Sequence, residues 1–164
     1  MGNFSFSSLG VLFLLLVLIP NACWCFKKPK DDTAERENRW LQTCEQLGQV
    51  LTTIALLIDG NLNWHGWSNR CWWLILASCF IFLYEWFWVR YFRSDRNLID
   101  FYRPLVGVRV PGATFPILSF LCLALYGRAL VLGFATFLLG VGHIGIHLSH
   151  EQELKTQLLN QVKD

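Results

Sequence analysis

Residues Ala129–Leu148 read ALVLGFATFLLGVGHIGIHL, twenty consecutive positions without Asp, Glu, Lys or Arg. An α-helix rises about 1.5 Å per residue, so roughly 20 apolar residues cross the hydrocarbon layer of a bilayer, about 30 Å thick. Cys71–Phe92 is a second apolar stretch of this length, and its first charged residue is Glu85. These two stretches predict transmembrane helices.

The composition of the whole chain agrees with a membrane location. Of its 164 residues, 54% are hydrophobic and 16% are charged, whereas a soluble domain carries about 25% charged residues. We therefore predict an all-α fold, an integral membrane helical bundle with four to five transmembrane helices.

Three weaker segments decide how many spans there are. Phe4–Pro20 is apolar but lacks the basic start and the small-residue cleavage site of a secretory signal, which favours a retained helix. Trp40–Ile58 has one apolar and one polar stripe, so it either spans with its polar side turned into the bundle or lies along the interface. Phe115–Tyr126 is short, and it reaches full length only as part of a broken helix that starts near Leu105.

Changes in composition divide the chain into four parts. We predict an N-terminal transmembrane helix or signal anchor over residues 1–26 and a charged cytoplasmic linker over 27–39. A transmembrane helical bundle over 40–150 and a cytoplasmic amphipathic tail over 151–164 follow. The linker has mixed charge and no apolar periodicity, which is typical of a solvated segment.

Basic residues cluster after the first apolar run, after Phe92 and in the tail, with Arg70 and Arg128 as the exceptions. Since Lys and Arg remain preferentially on the cytoplasmic side, five spans with the N-terminus outside and the C-terminus in the cytoplasm fit this distribution best. An alternative cleaves the first run, lays Trp40–Ile58 on the outer surface and leaves three spans. A disulfide between Cys44 and Cys71 is compatible only with that alternative.

Ionisable residues lie within or directly after the two strongest predicted spans. An ionisable side chain near the bilayer centre costs several kcal/mol unless it is paired or hydrated, so each one indicates a functional site. The spacing of the histidines places them on one helix face with Gly133 and Gly140, small residues that permit close helix packing. The residues of the predicted site are Glu85, His143, His147, His150 and Glu151.

Depth suggests which of these residues meet. Glu85 lies fourteen positions after Cys71, and His143 lies fourteen positions after Ala129. If both helices run from outside to inside, each residue lies roughly 21 Å from the outer interface, at 1.5 Å per residue. Glu85 and His143 can therefore be level with each other near the inner leaflet.

A carboxylate with imidazoles one helical turn apart suits more than one chemistry. Such a group can bind Zn²⁺ or another divalent metal ion, or it can relay protons because histidine titrates near neutral pH. Haem is disfavoured, since neighbouring histidines on one helix cannot reach opposite faces of one iron. The structural alternative is a Glu–His hydrogen bond that holds two helices together. We predict an inner-leaflet Glu/His site that binds a metal ion or handles protons.

Arginines around the loop after Phe92 indicate contact with anionic lipid or an anionic ligand. Cations beside an anionic leaflet gain about 1 kcal/mol each, although topology alone also requires positive charge at this place. The lipid bilayer is therefore an expected partner, and no nucleic acid is expected. These arginines are Arg90, Arg93, Arg96, Arg103 and Arg109.

Other functions stay open at the level of sequence. Gly140, Gly142 and Gly145 have the spacing of a dinucleotide-binding motif, but no strand precedes them, so we interpret them as packing residues. No Ser-His-Asp order, phosphate loop or H-E-x-x-H motif indicates an enzyme. The alternatives are a non-catalytic assembly or accessory protein, whose Gly/His seam packs against a membrane partner or a second copy, and a small transporter subunit.

Overall fold

The computed structural model describes residues 4–26 and 38–161, so most of the predicted linker lies outside the described residues. Within these ranges the chain is all-helical, as predicted. A 3₁₀ turn at Gly60–Leu62 follows the second helix. The helices are α1 (Ser8–Cys25), α2 (Arg39–Ile58), α3 (Cys71–Phe92), α4 (Leu98–Phe101), α5 (Pro111–Gly127) and α6 (Leu130–Gln161).

Among the described residues, three helices are long and apolar enough to cross a membrane, namely α1, α3 and α6. Helix α5 is apolar but shorter. It begins at Pro111, a residue suited to the first helical position because its missing N–H is not needed there. The expectation of a broken helix from Leu105 is wrong, because Leu105 and Val108 instead exchange two backbone hydrogen bonds in a tight hairpin turn.

Successive long helices run in opposite directions. The N–H groups of Ser5 and Ser7 donate to the carbonyls of Ile58 and Leu57, which joins the start of α1 to the end of α2. The guanidinium of Arg70, just before α3, donates to a carbonyl at the end of α5. We call this end of the bundle, where α6 also begins, the Ser8 end, and we call the opposite end, which carries Arg90 to Arg109, the basic end.

Helix α5 lies at the centre of the arrangement, since it packs against both α3 and α6, while α2 packs along the other side of α6. An aliphatic core that includes Leu56, Leu62, Leu123 and Leu132 fills the bundle towards the Ser8 end. A second, aromatic core lies towards the basic end. It is formed by Tyr84, Phe87, Trp88, Tyr91, Phe101 and Phe115.

Helix α2 exposes most of its apolar stripe and buries a narrow face that includes Gly48, Thr52 and Leu56. Leu47 is 55% exposed, and Leu51 and Ile54 on the same stripe are exposed too, whereas Thr52 is only 2% exposed. A helix of a soluble protein buries its apolar stripe and exposes its polar one. Gln42, Gln46 and Gln49 of the polar stripe are exposed as well, and the spanning placement of α2 stays a prediction.

Two glycines allow α2 and α6 to touch through their backbones. A Cβ atom on Gly142 would lie 2.3 Å from the backbone nitrogen of Glu45, and one on Gly48 would lie 2.3 Å from that of Leu139. The glycines predicted to pack, Gly133 and Gly140, face side chains of α5 instead. The seam expected to receive a partner helix is therefore filled by α2 and α5 of the same chain.

Candidate functional site: a cleft around Glu45 and His143

His143 on α6 pairs with Glu45 on α2, and Nδ1 of the imidazole lies 2.5 Å from Oε1 of the carboxylate. The backbone contact at Gly142 holds the two residues at the same level. A carboxylate accepts hydrogen bonds, so Nδ1–H donates and the Nε2 atom of a neutral His143 keeps a free lone pair. The two side chains are 31% and 25% exposed, so the pair remains reachable.

This pair lines a cleft of about 220 Å³ between α1, α2, α5 and α6. Its polar wall comes from α2, where Glu45, Gln49, Thr52 and Thr53 follow the spacing of one helix face. The opposite walls are mainly aliphatic and aromatic. They include Leu14, Val17, Leu18, Pro116, Ile117, Phe120 and Leu139.

The cleft opens where α1 and α2 move apart. At the Ser8 end the two helices are in close contact, because a Cβ atom on Gly10 would lie 1.9 Å from the carbonyl oxygen of Leu56. Further along, the cleft separates Leu14–Asn21 of α1 from Glu45–Thr53 of α2. Leu18 and Gln49 are exposed at this opening.

Several polar atoms of the cleft have unused hydrogen-bonding capacity. The buried Oγ1 of Thr52 finds no hydrogen-bond partner within the described part of the chain. Pro116 has no N–H, so it cannot donate to the carbonyl of Gly112 one turn earlier, and both residues line the cleft. The amide nitrogen of Asn21 donates to Val17 and to Tyr84, which leaves its carbonyl oxygen as an acceptor.

Glu85, the carboxylate expected to be level with His143, is on a different face of the molecule. It lies on α3 between Phe82, which is 67% exposed, and Val89, which is also exposed. Helix α5 stands between α3 and α6. The structure therefore joins His143 to Glu45 and not to Glu85. Glu45 lies on the polar stripe that the sequence predicts for Trp40–Ile58, and nothing in its spacing connects that stripe with the histidines.

The other two histidines of α6 continue from His143 towards the basic end. The ring of His147 lies 4.7 Å from that of His143, and its Nδ1 lies 3.4 Å from the hydroxyl of Tyr102. His150 follows, with its ring centroid 6.4 Å from that of His147. Aromatic contacts with Phe101 and Tyr102 cover this part of α6.

The expected metal chemistry lacks a ligand set. Within residues 4–26 and 38–161, no group of three or more His, Cys, Asp or Glu side chains is arranged to hold a metal ion. A protein site for Zn²⁺ uses at least three such ligands. The prediction of Zn²⁺ or another divalent ion therefore finds no support in these side chains, whereas the Glu45–His143 pair is compatible with proton chemistry.

Glu151 belongs to a different cluster, which closes the basic end. Its side chain is 1% exposed and forms ion pairs with Arg109 and Lys155, the latter with 2.5 Å between Nζ and Oε1. This contact ties the loop before α5 to α6. Glu151 is thus held between two basic side chains, and we call Glu151, Arg109 and Lys155 the ionic lock. None of these three residues lines the cleft.

Two of the five predicted lipid-contact arginines have structural roles. Arg109 belongs to the lock, and Arg90 donates to the backbone carbonyls of Pro104 and Arg103, at 2.9 and 2.6 Å. Arg93, Arg96 and Arg103 have exposed side chains. Contact with anionic lipid remains a prediction for these three.

The cysteines do not support the three-span alternative. Cys44 and Cys71 are both free thiols. Cys44 lies in the first turns of α2, near the basic end, and Cys71 starts α3 at the Ser8 end. The disulfide compatible with that alternative is therefore not formed.

No protein-family model, curated protein or solved structure matches this chain. The chemistry of its side chains is therefore the basis for assigning a function.

Proposed function

We propose that this chain is an integral membrane protein with five spans, whose Glu45–His143 pair binds and releases protons in the cleft. The observation that carries the proposal is the 2.5 Å contact between Nδ1 of His143 and Oε1 of Glu45 beside that cleft. The proposal has two parts, the placement in the bilayer and the chemistry of the pair.

The placement is supported by α2. Its apolar stripe of Leu47, Leu51 and Ile54 is exposed, which is the arrangement that suits a lipid surround. Together with α1, α3, α5 and α6 it gives five antiparallel crossings. The basic end carries Arg39, the arginines from Arg90 to Arg109 and Lys155, so the positive-inside rule puts this end and the C-terminus in the cytoplasm.

The chemistry follows from the charges of the pair. With a neutral imidazole the pair has one net negative charge, and after uptake of one proton it has none. The imidazole of His143 can take up a proton at Nε2, and the carboxylate of Glu45 in contact with it then balances the positive charge. A proton can therefore enter and leave while the pair stays within a cleft lined mostly by apolar side chains.

Proton flux into proteoliposomes tests this proposal. A potassium diffusion potential drives protons, and a pH-sensitive dye inside the vesicles reports their entry. We expect flux with the native chain and a loss of about tenfold or more in both Glu45→Gln and His143→Gln, since either change removes the titrating pair. Glu85→Gln is the matched control, because it removes a carboxylate from α3 outside the cleft. Equal flux in Glu45→Gln and the native protein, or no flux in the native protein, would contradict the proposal.

A second candidate function is membrane assembly, and Glu85 favours it. This carboxylate shares a face of α3 with exposed Phe82 and Val89, and ionisable residues at membrane depth ordinarily face a partner or water. A partner helix or a second copy of the chain would then cover this face. Crosslinking in vesicles from a cysteine at position 82 tests it, and exclusively monomeric products would argue against it.

A further inference from the structure

We infer that the cleft binds a small organic ammonium ion, and that this ion exchanges with the proton of the Glu45–His143 pair. The inference rests on the proposed proton function and adds a class of ligand to it. It is carried by hydrogen-bond acceptors on residues that line one small cavity.

The polar atoms of the cleft are predominantly acceptors. The carboxylate of Glu45 accepts, and so does Nε2 of neutral His143, because Nδ1 carries the proton that bonds Glu45. The amide nitrogen of Asn21 is already used, so its carbonyl oxygen is the atom left over. The carbonyl of Gly112 lacks its helical donor because of Pro116. An ammonium group, with up to three N–H donors, matches this set.

Thr52 supplies the independent sign of a missing ligand. Its hydroxyl is buried in the cleft wall and has no hydrogen-bond partner in the described part of the chain. A buried polar group without a partner is rare in native proteins and calls for a group or water not yet in place. The hydroxyl lies on the same face of α2 as Glu45, two turns away, so one elongated ligand can reach the neighbourhood of both.

Charge excludes anions from the cleft. No Arg or Lys is among the described residues that line it, and Glu45 is the lining residue with a formal charge at neutral pH. An anion would therefore approach a carboxylate without any compensating cation, which is unfavourable. A monovalent cation instead neutralises the pair.

The volume and the apolar lining of the cleft indicate which group the ammonium ion carries. The volume of about 220 Å³ is below the range of about 300–1,000 Å³ typical of drug-sized ligands. Leu14, Leu18, Ile117 and Phe120 offer an apolar surface for a short alkyl or aryl group. The cleft opens between α1 and α2 at exposed Leu18, so an amphiphilic amine can enter from the surroundings of the bundle.

The ammonium ion exchanges with the proton of the pair because Glu45 is the single carboxylate in the described lining. The titratable groups that face His143 are Glu45 on α2 and His147 on α6, while α1 and α5 contribute none to the described lining. An ammonium ion and an imidazolium would compete for one negative charge. When the ammonium binds, the Nε2–H bond of the imidazolium breaks, its electron pair stays on Nε2, and the proton passes to water. The freed lone pair then accepts an N–H from the ligand.

Calorimetry on the full chain in lipid nanodiscs tests the inference, with n-butylammonium as the probe and empty nanodiscs as the blank. n-Butanol and butyrate are the neutral and anionic comparisons of similar size. We expect n-butylammonium to bind at least about tenfold more tightly than either. Its binding weakens as the pH is lowered, since a proton on the pair competes with the ammonium ion for one carboxylate. Buffers of different ionisation enthalpy then report proton release on binding.

Substitutions inside and outside the cleft test where n-butylammonium binds. Glu45→Gln is expected to weaken n-butylammonium binding by about tenfold or more, and Thr52→Val by severalfold, since it removes the hydroxyl while conserving shape. Glu85→Gln leaves binding unchanged, because Glu85 lies on the far side of α5. If Glu45→Gln fails to fold, as judged by size-exclusion chromatography, Thr52→Val alone decides.

The possible results separate this inference from the proposed function. Butyrate or n-butanol binding as tightly as n-butylammonium, an unchanged affinity in Thr52→Val, or equal competition by sodium would each overturn the ammonium site. Native proton flux without n-butylammonium binding would overturn the ammonium site and leave the proton function standing. Loss of both would remove the proposed function as well.

Discussion

Helix α6 carries two acid–base clusters about two turns apart, and they differ in what their charges can do. In the cleft, Glu45 contacts an imidazole, a group that can be neutral or protonated. At the basic end, Glu151 contacts Arg109 and Lys155, which keep their charges throughout the physiological range. The first cluster can change its net charge and the second cannot.

The two clusters also differ in how far water and ligands can reach them. Glu45 and His143 are partly exposed and line a cavity, so water or a ligand can reach them. Glu151 is almost completely covered and its carboxylate is held from two sides, so it closes the base of α6 against the loop. We conclude that chemistry belongs to the Glu45–His143 pair and that the Glu151 cluster provides rigidity. Three predictions can break or sharpen this distinction.

The largest effect is expected from Gly142→Ala. The new methyl group would lie 2.3 Å from the backbone nitrogen of Glu45 and 2.5 Å from the carbonyl oxygen of Leu41, so the whole of α2 must shift. Overpacking of this kind costs about 1–3 kcal/mol and occasionally more, and backbone contact places this site at the upper end. Unfolding by SDS in mixed micelles measures the loss.

Gly133→Ala is the matched control for Gly142→Ala. It is on the same helix, and its new methyl group would make an ordinary contact at 3.7 Å from Ala124. Replacing a helical glycine by alanine then gains up to about 1 kcal/mol. Equal destabilisation by the two substitutions would show that α2 and α6 are not joined through Gly142, and the position of Glu45 beside His143 would lose its physical basis.

The second prediction compares the two carboxylates directly. Glu151→Gln is expected to lower the free energy of unfolding by about 2 kcal/mol, less than the roughly 3–5 kcal/mol of a fully buried pair, because Arg109 and Lys155 are largely exposed. Glu45→Gln is expected to cost less than about 1 kcal/mol while abolishing proton flux, since glutamine can still accept from Nδ1. SDS unfolding and flux are measured on both variants. The reverse pattern would exchange the roles assigned to the two clusters.

Much of the fold followed from apolar length alone. Ala129–Leu148 and Cys71–Phe92 predict helices, and they correspond to α6 and α3. The stripe of α2 offered two placements, and which of its residues pack against other helices could not be predicted, because the exposed surface of a helix depends on its neighbours. The hairpin at Leu105 escaped prediction, since a valine at positive φ contradicts the local preferences on which such predictions rest.

The candidate site followed only in part. The histidines on α6 were found because ionisable residues inside an apolar helix are conspicuous. Their carboxylate partner was sought on α3, at the right depth but on the wrong helix, because spacing gives depth along an axis and says nothing of which helices are neighbours. Gly48 and Gly142 decide that question through backbone contact. A polar stripe on α2 at matching depth was the available signal.

The smallest effect concerns the loop that the ionic lock holds. Val106 has a φ of 52° and is 73% exposed, in the hairpin three residues before Arg109. A β-branched residue in this left-handed region is strained by about 1–2 kcal/mol, and such strain persists only where the surroundings fix the backbone. Asparagine tolerates this conformation better, so Val106→Asn should raise the free energy of unfolding by about 1 kcal/mol.

The ionic lock of Glu151, Arg109 and Lys155 determines whether Val106→Asn raises the free energy of unfolding. In a Glu151→Gln background Arg109 is released, the loop can relax around Val106, and the gain from Val106→Asn should fall below about 0.5 kcal/mol, a non-additivity typical of coupled sites. In a Glu45→Gln background the full gain should remain, because the cleft does not hold this loop. SDS unfolding of the two double variants measures the difference. A gain of the same size in all backgrounds would show that the Glu151 cluster does not hold the loop in its strained conformation, and rigidity would have to be assigned elsewhere at the basic end.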